Sequence, residues 1–149
     1  MQQRIDVTKV SPAALQAASA LQGYVDKSGL DAKLRELIKI RASQINGCAY
    51  CLAMHTREAR KIGETDERMH LLDAWREAPI YSDRERAALE WTEAITLVAQ
   101  DHVPDEIYDE VRKHFSEQEI IDLTAAAVAI NRLAIALRAT PLESRKAAA

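Results

Sequence analysis

The chain has 149 residues, with 20 Lys plus Arg against 23 Asp plus Glu for a net charge of -3, and 48% of its residues are hydrophobic. That is the size of one ordinary domain, large enough to bury a core without disulfide staples or a structural metal. The mixed charge gives no electrostatic reason to expect nucleic acid or an anionic membrane surface as a partner.

The start of the chain, Met1-Gln2-Gln3-Arg4-Ile5-Asp6, is polar and lacks a cationic segment followed by an apolar one, so export is not expected and a cytoplasmic location is. Residues 1–10 read as an N-terminal arm, and an extended piece is conceivable only over residues 5–10. Ser11-Pro12 then caps a helix running to about residue 26, which Ser28-Gly29 ends. Asp31 can cap a second helix. In it Leu30, Leu34, Leu37, Ile38 and Ile45 fall within about 100° of one another on a helical wheel, and Asn46-Gly47 stops it.

A third helix is expected over 48–62, with Gly63 in the left-handed terminating position, and a fourth from Thr65 or Asp66 to about residue 77. Pro79-Ile80-Tyr81 connects it to a long helix, 83–99, opened by the serine-to-glutamate spacing of Ser82 and Glu85. Pro104 sits in the first turn of the next helix, which ends near Phe115, and Ser116 with Glu119 repeats the capping device.

The last helix should span about 117–138. It is apolar nearly all round over 123–130, so a central position or one between subunits is expected. That apolar run contains Thr124, is stopped by Asn131 and Arg132, and falls far short of the roughly 20 residues a membrane span needs. With no sustained period-two alternation, the fold class is all-α, a bundle of about six to seven helices in one domain, with a flexible tail at 139–149.

Only two cysteines are present, Cys48 and Cys51. They are too sparse for a secreted disulfide framework and close too small a loop to serve as a staple, which leaves a chemical use. If the third helix starts at Cys48, then Cys48, Cys51 and His55 lie at i, i+3 and i+7 on one face, and the thiols feel the positive end of the helix. A helix dipole contributes about 0.3–1 kcal/mol, which leaves an ordinary thiol mostly protonated at neutral pH. A proton acceptor is needed.

His55 can take a thiol proton and hand it to a leaving oxygen. Glu36, on the far side of its helix from the apolar stripe, is the second candidate. A fixed carboxylate would repel a thiolate, so Glu36 is expected to act as a base with its pKa raised by burial.

Glu36, eleven residues, Cys48-Ala-Tyr-Cys51, three residues, His55: this pattern resembles the signature of the AhpD-like alkylhydroperoxidases within the carboxymuconolactone decarboxylase family. Ile40-Arg41-Ala42-Ser43-Gln44-Ile45-Asn46-Gly47 and Glu85-Arg86-Ala87-Ala88-Leu89-Glu90-Trp91-Thr92-Glu93-Ala94 are similar to its small single-domain members. The resemblance implies a peroxidase in which Cys51 attacks the O–O bond and becomes a sulfenic acid that Cys48 converts to a disulfide. Glu36 and His55 would form the proton relay, and an external dithiol or lipoyl-type reductant would reopen the disulfide. It also implies a homo-oligomer, a trimer or hexamer.

This sequence departs from the family pattern at Tyr50, where AhpD itself carries a histidine, and near Asn131-Arg132-Leu133, where similar members are three residues longer.

Other readings of the same residues are a non-peroxidase thiol–disulfide exchange partner or redox sensor, and the decarboxylase-type chemistry for which the family is named. Two thiolates, an imidazole and a carboxylate could also bind zinc, but no metal or cofactor is expected, since a core of this size needs no structural ion. Arg41 reads as an ion-paired structural arginine before a functional cation. His70, His102 and His114 read as surface residues, Trp75, Trp91 and Met54 as packing, and Tyr50 as either a pocket wall or packing.

Overall fold

Short polar side chains mark where the helices begin. The computed structural model describes residues 3–130 together with 135 and 136. Its helices are α1 (Val7–Val10), α2 (Pro12–Lys27), α3 (Ala32–Ile45), α4 (Ala49–Lys61), α5 (Asp66–Leu71), α6 (Asp83–Thr96), α7 (Val98–Asp101), α8 (Asp105–His114) and α9 (Glu117–Ala129), with a 3-10 turn at Leu72–Ala74. Among the described residues there is no strand, and no helix is long and apolar enough to cross a membrane. Asp31 accepts from Leu34 N–H, and Ser82 with Glu85 and Ser116 with Glu119 form reciprocal capping boxes, satisfying amide groups that a helix start leaves unpaired.

Three local expectations are corrected. Residues 5–10 are not extended: Asp6 accepts from Thr8 N–H at 3.1 Å and caps the short α1. The fourth helix stops at Leu71 and runs through the 3-10 turn instead of reaching residue 77. There the Arg86 guanidinium, arriving from α6, takes the carbonyls of Trp75, Arg76 and Ala78, fixing the chain in a turn. The long helix over 83–99 divides into α6 and α7, and two left-handed residues, His102 and Val103 (φ 53° each), carry the chain from α7 to Pro104. These divisions and α1 account for the count above six or seven.

α3 occupies the centre. Leu34 and Ile38 join a core with Val25, Trp91, Val111, Phe115, Leu123 and Ala126, while Leu37 and Ile40 join a second with Ala59, Leu72, Trp75, Tyr81 and Leu89. A helix buried on two sides in this way has little surface left, and its remaining polar residues must meet partners. α9 is the helix expected to lie centrally or between subunits. It buries Ile120, Leu123, Ala126 and Ala127 but leaves Ile121 and Val128 about half exposed in the chain alone. The segments expected at 131–134 and 137–149, including the Asn131-Arg132-Leu133 departure and the tail, lie outside the described residues.

Candidate active site

The site is built on the joint between α3 and α4. Gly47 adopts φ 61°, a conformation that favours glycine, and ends α3. Gly47 N–H bonds to Gln44 O at 3.0 Å and Cys48 N–H to Ser43 O at 3.1 Å, the paired bonds of a Schellman turn. Cys48 also caps α4, its sulfur accepting from Cys51 N–H at 3.2 Å. One residue therefore closes one helix and opens the next. The helix starts one position later than expected, which keeps both sulfurs at its first turn, where they are joined as a Cys48–Cys51 disulfide with the Cα atoms 5.3 Å apart.

Across the joint, His55 Nδ1 lies 3.0 Å from Glu36 Oε2. The other carboxylate oxygen, Oε1, accepts from Lys39 Nζ at 3.0 Å, and Lys39 Nζ is also 3.8 Å from Asp26 Oδ1 on α2. The side chains of His55, Glu36 and Lys39 are only 9%, 12% and 5% exposed.

Burial pushes the Glu36 carboxyl up, but the hydrogen bond from His55 and the charge and hydrogen bond of Lys39 outweigh it, so its pKa lies below the ordinary 4.5. The expectation of a raised pKa is corrected accordingly. Glu36 is held as a carboxylate, a form suited to orienting an imidazole.

Cys51, His55, Glu36 and Lys39 border one cavity of about 620 Å³, with α2 forming the facing wall through Leu15, Gln22 and Asp26. Cys51 faces this space and Cys48 is not among its lining residues. Tyr50 lines the cavity, and so does Met54, expected only to pack.

Lys39 carries no signal of its own in the sequence, where it stands near Lys33 and Arg35; the one hint is its position three residues after Glu36, which places the two on one helix face. Arg41 is a structural ion pair, bound to Glu93 at 2.7 Å and to Asp73. His70 and His102 are exposed, whereas His114 is half-buried with Nε2 3.3 Å from Glu110. Among the described residues, no group of three or more His, Cys, Asp or Glu is placed to hold a metal ion.

An all-helical scaffold with a Cys-x-x-Cys pair at a helix start, backed by a carboxylate–imidazole pair, defines an AhpD-like protein. A protein of unknown function from Agrobacterium tumefaciens, described as a candidate antioxidant defence protein AhpD, is 43% identical. Its crystal structure matches with a TM-score of 0.89 over 95% of this chain and 100% of that one. The uncharacterized protein YdfG of Bacillus subtilis (strain 168) is 44% identical over 140 residues, 92% of this chain and 95% of that protein. The debrominase Bmp8, 22% identical, shares the fold with a TM-score of 0.72, covering 87% of this chain and 71% of its own. The profile of the carboxymuconolactone decarboxylase family matches residues 12–94. The chain belongs to that family.

Proposed function

We propose that this chain is a dithiol peroxidase that reduces hydrogen peroxide or organic hydroperoxides, with Cys51 as the attacking sulfur. The observation that carries this reading is that Cys51 and the Glu36–His55 pair border one cavity, while Cys48 stands outside it. A peroxide entering the space meets Cys51 first.

In the reduced protein, Glu36 accepts the Nδ1 proton of His55 and fixes the tautomer whose Nε2 is free to accept. His55 takes the Cys51 proton, and the thiolate attacks the outer peroxide oxygen. The O–O bond breaks, the imidazolium returns its proton to the leaving oxygen, and an alcohol, or water from hydrogen peroxide, departs. Cys51 is then a sulfenic acid. The Cys48 sulfur attacks the Cys51 sulfur, the hydroxyl leaves as water with the Cys48 proton, and the disulfide forms. Two electrons pass from the sulfurs to the peroxide, and an external dithiol or lipoyl-type reductant restores them through a mixed disulfide.

Small-molecule sites enclose about 300–1,000 Å³. The cavity here, about 620 Å³ with Leu15, Met54 and Ile130 on its walls, is far larger than hydrogen peroxide requires and suits an organic hydroperoxide.

The test is to add one equivalent of cumene hydroperoxide to fully reduced protein and follow peroxide loss together with the intact mass. Stoichiometric consumption is expected, with a mass lower by two hydrogen atoms as the disulfide forms. Peroxide loss without an intramolecular disulfide, or no loss at all, defeats the reading.

A further inference from the structure

Lys39 has no part in the steps above, yet it is placed as though the site depends on it. Its side chain is 5% exposed, and a lysine taken so far out of water is costly unless it is paired. Its close partner is the oxygen of Glu36 that His55 does not use. Among the described residues, three elements bring further charged groups to this point. From α2, Asp26 stands 3.8 Å away, with a side chain that is 55% exposed and therefore well screened. On α3, Arg35 is engaged with the Val25 and Asp26 carbonyls at 3.0 and 2.9 Å. From α4 come His55, on the far oxygen of Glu36, and Glu58 at the cavity wall, while among the described residues the end of α9 contributes Ala129 and the next residue, Ile130.

A carboxylate 3.0 Å from an imidazole, with nothing else to hold, stabilises the imidazolium. An imidazolium has no lone pair for a thiol proton. Sharing the same carboxylate with a second partner, the Lys39 ammonium 3.0 Å from its other oxygen, weakens that pull without removing the hydrogen bond that orients the ring.

We propose that Lys39 is a positioning residue for the Glu36–His55 pair, holding Glu36 as a carboxylate shared between two partners so that its pull on the His55 ring is moderated and the ring stays available to accept the Cys51 proton. The depressed Glu36 pKa agrees with this placement. The inference rests on reading His55 as the base for Cys51, and it names the residue that keeps that base available.

The experiment is an NMR titration of the His55 ring in reduced protein, assigned by its loss in His55→Asn, for wild type, Lys39→Gln and Lys39→Arg. The same samples give the pH profile of Cys51 alkylation by iodoacetamide in a Cys48→Ser background. In Lys39→Gln the His55 midpoint and the acid limb of alkylation should both move up by roughly one pH unit, corresponding to about a tenfold slower reaction on that limb. Lys39→Arg should restore both. An unmoved midpoint in Lys39→Gln that keeps its helical circular dichroism overturns the proposal, as does an equal shift in the Arg and Gln variants. Neither measurement uses peroxide, so a wild-type protein that fails to consume peroxide but shows the shift defeats the peroxidase reading and supports this one.

Discussion

On one side of α3, Arg41 meets Glu93 of α6; on the other, Glu36 meets His55 of α4. Both carboxylates are largely buried, and burial pushes both up, yet in each case hydrogen bonds from the partners hold the pKa below 4.5. They differ in what the partners can do. Glu93 is held by Arg41 Nε at 2.7 Å, Trp75 Nε1 at 2.8 Å and Arg76 at 2.6 Å, all donors that keep their protons at any physiological pH. Glu36 is held by a lysine and by an imidazole, a ring that can either donate or accept through its nitrogens, and it borders open space. Burial and charge pairing are common to the Glu93 brace and to the relay proposed for Glu36 and His55. An imidazole partner beside a cavity is what separates the two clusters.

That contrast can be broken by mutation, beginning with the largest effect. Cys51→Ser should abolish peroxide consumption in a continuous peroxide assay, and detectable turnover would mean another group reacts. His55→Ala should lower kcat/KM by about 10²–10⁴-fold, the usual share of a general acid–base; a loss under tenfold would place His55 with the braces.

Arg41→Ala should do the reverse. It should cost about 1–3 kcal/mol in urea unfolding, because Glu93 loses a charged donor, and leave the peroxide rate within about twofold. Equal damage to rate and stability would erase the distinction.

Acid should weaken both clusters together. A carboxyl with a depressed folded pKa adds stability that is complete above its unfolded value, near 4.5, and is lost as pH falls through the folded value. Unfolding free energy of the wild type should therefore decline below pH 4.5, and less steeply in Glu36→Gln and Glu93→Gln. A slope unchanged in both variants would refute the assignment. The smallest effect is a control far from either cluster: Ser116→Ala should cost about 1 kcal/mol through its capping box and leave activity untouched.

The parts of the fold legible in the sequence are those fixed by neighbours a few positions away. Asp31, Ser82 and Ser116 bond amides three residues on, and the chain announces them. Asp6 caps in a similar local way, but α1 is only four residues long, too short to show a helical period in the sequence. The end of α5 depends on Arg86, which approaches from α6, and no local pattern encodes that reach.

The thiols, His55 and Glu36 were legible as a spacing, but their meeting depends on how α3 and α4 fold back on each other. The resemblance to a known signature supplied what periodicity lacked. Lys39 was hidden by composition, since the sequence around it looks solvated until α2 is laid over it. The apolar run of α9 was legible too, but much of it is alanine, which reads as hydrophobic while burying little area.

Cys48 belongs to two helices at once, so the backbone between them has no slack. One added residue there would turn everything downstream by about 100° and swing His55 away from its carboxylate. The eleven positions between Glu36 and Cys48 and the three between Cys51 and His55 thus act as a ruler marked in helical turns. Surface positions on either helix can drift in identity, but the count of residues along this stretch cannot drift by even one.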